Sequence, residues 1–339
     1  MNIDQSPVQP TATPVGTPPP FDPELDAALT VLRRQIPTTV PSLDMIPALR
    51  RQAAEWAPPP SNEQISRDGA FVVTERTAPG PADAPEIPLL ICRPAEAATP
   101  VAAVYYIHGG GMIGGTHRMI GVDPLLDMAT ELGLAVVSVD YRLAPEHPHP
   151  APVEDCYAGL LWTVEHAADL GIDPSRLLVA GPSAGGGLAA AVVLLARDRK
   201  GPALAGQLLN CPMLDDRNNT PSSLQMAGID VWDHARNEMG WTALLGEQRG
   251  GLDVSPHAAP ARATDLSGLP PAFIDVGSAE TFRDEGVTYA TRIWQAGGKA
   301  ELHVWPGGFH GFDVMVPQAV LSQDAKTARL RWLRRTLAL

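Results

Sequence analysis

Two glycine-flanked motifs are the residues in this chain best suited to chemistry. His108-Gly109-Gly110-Gly111 closes the apolar run 101–107. Gly181-Pro182-Ser183-Ala184-Gly185 closes the apolar run 177–180 and opens an alanine-rich stretch. The first has the form of a cradle of backbone N–H groups for an oxyanion. The second has the form of a serine held on a sharp strand-to-helix turn. Together they point to acyl transfer by an activated serine. With 31 Gly and 13 Ser in 339 residues, chance supplies ~0.1 copies of G-x-S-x-G and ~0.01 copies of HGGG. Two ordinary glycine turns are therefore a poor account of both motifs in this order.

A serine hydroxyl is a weak nucleophile until a base takes its proton. The base is normally a histidine, held in one tautomer by a carboxylate. Ser183 is the candidate nucleophile, and the amides of Gly110, Gly111 and Ala184 are the candidate oxyanion donors. A phosphate cradle would want a P-loop Lys and Ser/Thr, and neither follows His108–Gly111. The base should come late, after the last strand. His310, in Gly307-Gly308-Phe309-His310-Gly311-Phe312, meets that requirement. His108 is read as a brace for its loop. His147 and His149 sit among prolines, His234 and His257 fall in a long strandless interval, and His117, His166 and His303 lack such a loop.

The orienting acid should follow the strand before the histidine loop. Glu280, after the run 273–276, is the candidate; Asp284, inside the next helix, is the alternative, read as structural because catalytic groups favour loops. Met213, Trp232, Trp241 and Phe309 are expected to line the acyl or alcohol pocket, with plain packing as the competing reading. No His/Asp/Cys spacing resembles a metal site, and no cofactor is expected.

These groups need a frame. Strand-like runs fall at 71–75, 89–93, 103–107, 135–140, 177–180, 207–211, 273–276 and 301–305. Helical patterns lie between most of the later ones, at 124–132, 153–170, 184–199 and 284–296. Such alternation predicts a mostly parallel sheet of eight strands covered on both faces, the first two strands pairing antiparallel. Residues 1–20 carry six prolines and read as a flexible arm. Helices within 21–65 precede the sheet and are expected to belong to the cap. The catalytic domain is expected at 66–212 and 271–339. The interval 213–270 lacks strands and reads as a helical cap insertion at the C-terminal ends of the strands.

Composition narrows the function further. The formal net charge is −13, which disfavours nucleic-acid partners. No apolar stretch suits a signal peptide or a membrane span. Cys92, Cys156 and Cys211 are odd in number and lack CxxC spacing, which reads as buried thiols in a cytoplasmic protein.

From residue 103 to 312 the chain resembles the hormone-sensitive lipase-like family of α/β-hydrolase esterases, the bacterial family IV carboxylesterases. His108-Gly-Gly-Gly, Tyr141-Arg-Leu-Ala-Pro-Glu146, Asp155, Gly181-x-Ser183-Ala-Gly-Gly, Arg283-Asp-Glu-Gly286 and His310-Gly-Phe312 match its pattern in order. The resemblance implies an α/β-hydrolase fold with a helical cap, and a Ser–acid–His triad. It also implies short- to medium-chain carboxylic esters as substrates, no cofactor, and a monomer or homodimer. Two positions depart from the pattern. Pro182 stands where an acidic residue is common, and Glu280 takes the place usual for Asp. An amidase or peptidase with the same triad, or a non-catalytic small-molecule receptor on this fold, are the rival readings. The presence of His310 argues against the receptor.

Overall fold

Along the strands, side chains alternate between two apolar layers, and this alternation builds the molecule. Leu89, Ile91, Tyr105 and Ile107 enter one buried cluster; Leu90, Cys92, Val104 and Tyr106 enter another. A strand sends successive side chains to opposite faces, so these runs can only belong to a sheet covered on both sides. The computed structural model describes residues 15–37, 39–81, 84–97, 100–119 and 121–339. The first fourteen residues of the expected proline arm lie outside the described residues.

Three helices precede the sheet: α1 (Pro23–Arg33), α2 (Ile46–Trp56) and the short α3 (Asn62–Ile65). Asp22 caps α1, accepting the amides of Glu24 and Leu25, and Pro23 takes the first helical position. The sheet strands are β1 (Phe71–Ala78), β2 (Ile87–Pro94), β3 (Val101–Ile107), β4 (Ala135–Val139), β5 (Ile172–Pro182), β6 (Gln207–Asn210), β7 (Ala272–Gly277) and β8 (Ala300–Trp305). Their spatial order is β1-β2-β4-β3-β5-β6-β7-β8. β1 pairs β2, and β2 pairs β4, antiparallel. Every later pairing is parallel.

Between and after the strands lie α4 (Val122–Leu132), α5 (Ala151–Glu165), α6 (Ala167–Leu170), α7 (Ala184–Asp198), α8 (Pro221–Gln225), α9 (His234–Leu245), α10 (Arg283–Gln295), α11 (Phe312–Met315) and α12 (Val320–Leu337). Helix α7 is buried from Ala184 through Ala196, as its all-round apolar sequence demands. It packs in the larger cluster with α5 and α10, while α4 and α12 cover the other face. The strandless interval folds as α8, α9 and short 3-10 turns, and its Trp241, Leu244 and Leu245 join the larger cluster.

A third apolar cluster joins the N-terminus to the chemistry. Leu25 and Leu29 of α1 pack with Val231, Phe309, Phe312, Ala319 and Ala325. Polar ties follow the same seam: Arg33 donates to the Gly228 carbonyl at 2.6 Å, and Asp22 donates its amide to Gly307 at 3.0 Å. Gln225 reaches the carbonyls of Gly16 and Thr17. Among the described residues no helix is long and apolar enough to cross a membrane.

Candidate active site

Ser183 lies between the end of β5 and the start of α7. Its backbone sits at φ 56°, ψ −123°, a strained conformation for a residue with a Cβ. The turn is fixed on both sides: Ser183 donates its amide to Asn210 at 2.8 Å, and its carbonyl accepts the amides of Met213 and Gly187. Gly185 makes so tight a turn possible. A Cβ there would lie 2.0 Å from the Ile107 carbonyl oxygen, so any side chain would push β3 and α7 apart. Pro182 ends β5 opposite Asn210; it can give the sheet no N–H.

His310 comes from the loop between β8 and α11. Its Nε2 lies 3.1 Å from Ser183 Oγ, and its Nδ1 lies 3.2 Å from Glu280 Oε1. Glu280, three residues beyond the end of β7, turns back so that Oε2 accepts the Gly277 amide at 2.7 Å. A carboxylate only accepts, so in the neutral imidazole the Nδ1 proton faces Glu280 and the Nε2 lone pair faces the serine hydroxyl. Phe282 meets the imidazole edge-on with centroids 5.0 Å apart. Ser183 and His310 are each 8% exposed, and Glu280 is 1% exposed. Burial works against a charged His310; the adjacent Cys211 sulfur and the Glu280 carboxylate outweigh it, and the imidazole is held well above its ordinary pKa.

The other carboxylates of this region are engaged elsewhere. Asp284 opens α10; it accepts the Ser222 amide at 2.8 Å and pairs with Arg283 at 2.7 Å. It joins α10 to α8, and among the described residues it is not bonded to His310. Asp275, within β7, pairs with the buried Arg329 at 2.6 Å.

The His108–Gly111 loop leaves the end of β3. Gly110 and Gly111 have φ of +114° and +64°, which glycine adopts without strain. Among the described residues, the amides of Gly110, Gly111 and Ala184 donate to no other group. The Ala184 amide also belongs to the first turn of α7, where N–H groups point outward with the positive end of the helix dipole. His108 braces this loop. It stacks on Tyr141 at 4.2 Å, its Nδ1 lies 2.8 Å from the Gly109 carbonyl, and Tyr141 donates to the His108 carbonyl at 2.9 Å. Burial pushes the His108 imidazole down to about 4, so it is neutral at pH 7. Arg142 is fixed by a two-point pair with the buried Asp155, and Glu146 pairs with Arg50 of α2. The segment 141–146 thus supports the glycine loop from behind.

The four expected pocket residues separate. Trp232 lies with its ring against the bare Cα of Gly111, and Met213 follows the nucleophile turn, its methyl near Gly240 of α9. Trp241 and Phe309 are fully buried, in the larger core cluster and in the α1 cluster respectively. Both show packing contacts and no exposed surface.

Three neighbours were not legible in the sequence. Asp230, buried, accepts the His310 amide at 3.3 and 3.4 Å through its two oxygens. Thr281, next to Glu280, donates to the Trp232 carbonyl at 2.6 Å. Cys211, just past β6, sits beside the imidazole, and burial holds its thiol above the ordinary value. Cys211, Glu280 and His310 form the one group of metal-type ligands among the described residues, their atoms within 4.8 Å of one another. Two of the three are already bonded to each other, to Gly277 and to Ser183, so the group has no open ligand set.

Comparison with known proteins identifies the family. Residues 104–314 match the family described as alpha/beta hydrolase fold. The carboxylesterase NlhH of Mycobacterium tuberculosis (strain ATCC 25618 / H37Rv) is 37% identical over 322 residues, 91% of this chain and 96% of that protein. The esterase LipI of the same organism is 36% identical, covering 70% and 74%. The solved structure of a bacterial heroin esterase superposes with a TM-score of 0.81 at 40% identity, over 94% of this chain and 98% of that one. The chain belongs to the α/β-hydrolase family, in its hormone-sensitive lipase-like group.

Proposed function

We propose that this α/β-hydrolase is a serine carboxylesterase that cleaves short- to medium-chain carboxylic esters through an acyl-enzyme. The observation that carries the reading is the single imidazole bridging Ser183 Oγ and Glu280 Oε1, at 3.1 and 3.2 Å. Relatives named carboxylesterase and esterase across most of the chain support the same class of reaction. In this reading His310 Nε2 takes the Ser183 proton as Oγ attacks the ester carbonyl. The carbonyl oxygen becomes an oxyanion facing the amides of Gly110, Gly111 and Ala184. Donors fixed in advance stabilise charge that exists only near the transition state, and removing one such donor typically costs about 100- to 1,000-fold in rate. His310 then protonates the departing alcohol, the acyl group stays on Ser183, and a water activated by the same imidazole releases the acid. Glu280 holds the Nδ1 proton throughout and favours the imidazolium that forms.

The helices within 21–65 and the insertion 213–270 are read as one cap over the C-terminal ends of the strands. The partner is a small-molecule ester, and the working location is cytoplasmic. Trp232 and Met213 are the pocket-lining residues this reading favours. The test is hydrolysis of chromogenic esters of graded acyl length by wild type and Ser183→Ala, with stoichiometric labelling by a serine-directed phosphonate. Wild-type turnover that vanishes in Ser183→Ala is expected. Turnover of an anilide but no ester would replace esterase by amidase, and failure of Ser183 to label would remove the nucleophile from the proposal.

A further inference from the structure

The histidine loop has a second anchor that the triad does not account for. Asp230 sits in the insertion, eighty residues before His310, and is 4% exposed. Its two oxygens face the His310 amide at 3.3 and 3.4 Å, and Oδ1 also accepts the Val231 amide at 2.6 Å. No side-chain cation is bonded to it among the described residues. A buried carboxylate with only backbone N–H partners is costly to keep, so its presence asks for a reason.

The turn that carries Asp230 is held from three directions. Arg33 of α1 donates to the Gly228 carbonyl, and Asp233 accepts the Gly228 amide at 3.1 Å. Thr281, in the acid loop, holds the Trp232 carbonyl. The turn is therefore bonded to the acid loop at Thr281 and to the base loop at His310. A cavity of about 450 Å³ opens on its other side, lined by Arg33, Arg34 and Arg236 as well as Asp233 and Asp230 itself. Asp230 thus stands between that cavity and the imidazole.

We propose that Asp230 is a positioning residue for His310: it fixes the loop through the backbone N–H and adds negative charge that favours the imidazolium. The proposal rests on the triad reading above. Among the described residues, the charged groups acting on the carboxyl are His310 and Glu280 in the site, while Arg33, Arg34, Asp233 and Arg236, from α1 and the insertion, line the cavity that it also lines. Burial, opposed by His310 and reinforced by Glu280, raises the Asp230 carboxyl to about 7. It therefore titrates together with the imidazole as a pair.

Two variants separate the roles. Asp230→Asn keeps an acceptor for the His310 amide and deletes the charge; Asp230→Ala deletes both. Asp230→Ala is expected to lower kcat by about tenfold with KM little changed, the loss of one charge-assisted hydrogen bond. Asp230→Asn is expected to recover most of kcat. Removing negative charge lowers the imidazole pKa, so the acid limb of kcat/KM in Asp230→Asn should move to lower pH by about one unit. Folded variants whose kcat and pH profiles superimpose on wild type would overturn the proposal. So would equal losses in both variants with an unmoved acid limb, which is what a merely structural role gives. If the alanine variant does not fold, the asparagine pH profile alone decides. Phosphonate labelling of wild-type Ser183 is measured alongside. An unlabelled, inactive wild type sinks the triad reading, whereas a labelled wild type beside unmoved variants sinks only the role of Asp230.

Discussion

Glu280 and Asp284 lie four residues apart and end on different partners. One faces the imidazole; the other joins α10 to α8. Glu280→Gln is accordingly expected to lower kcat by about three to four decades, the loss seen when a triad's orienting acid is neutralised. Asp284→Asn should leave kcat nearly intact and lower the melting temperature, since the Ser222 amide keeps an acceptor while the Arg283 pair is lost. Kinetics and thermal melts of the two variants decide between them. His310 makes a pH prediction of its own. A base must be deprotonated to act, and this imidazole is held above its ordinary value. The acid limb of kcat/KM should therefore lie above the free-imidazole value of about 6.5. Asp230 acts on stability in the opposite sense to most carboxylates. Its folded pKa, about 7, exceeds the ordinary 3.8, so stability falls as pH rises from the lower value through the higher. Asp230→Asn should be more stable than wild type at pH 8, by on the order of a few kcal/mol in unfolding free energy, and match it near pH 4, as denaturant melts at the two pH values would show. Of the proposed triad, Ser183 and His310 stand out in sequence because each sits in a short signature at a strand end, whereas Glu280 rests on its place after the run 273–276, with Asp284 as the alternative. Asp230 and Cys211 do not stand out: no local motif marks either, and their places beside His310 arise from contacts made across 80 and 99 positions.

At the level of elements, the sequence displayed the strands and the helices of the sheet clearly, because alternation and helical spacing are local. It did not display the order β2-β4-β3 or the full length of β5, which begins five residues before its apolar run at Ile172. Those depend on which edges find each other. The turn between β5 and α7 gives the sharpest prediction here. Gly185→Ala would drive a methyl to 2.0 Å from a β3 carbonyl. Overpacking into mobile side chains costs about 1–3 kcal/mol; here the obstacle is backbone, so low soluble yield or a collapsed melting transition is expected. Gly111→Ala meets a ring instead, that of Trp232 at 2.3 Å, and must hold φ +64° besides. It should fold and lose kcat far more than stability, which circular dichroism and kinetics can separate.

Across the whole molecule, α1 is attached to the site through Phe309, the residue before His310. Leu25 and Leu29 are 0% and 1% exposed, packed in the same cluster as Phe309 and Val231. Leu29→Ala should cost about 2–5 kcal/mol as a core truncation. It should also lower kcat at temperatures where the protein remains folded, because the loop of His310 loses its backing. A loss of stability with unchanged kcat would separate α1 from the catalytic loop. The N-terminal helices were evident as helices from spacing alone, but their seat against the 228–233 turn was not. That seat depends on Arg33 reaching a carbonyl 195 residues away.

The hydroxyl and the imidazole at the centre are nine-tenths hidden from solvent. In the proposed reaction an ester reaches Ser183 through this small opening, and a bulky one needs the surrounding protein to part first. For bulky alcohols the frequency of that parting, and not bond cleavage, would govern throughput. Their rates should then respond to solvent viscosity while those of the smallest acetates do not.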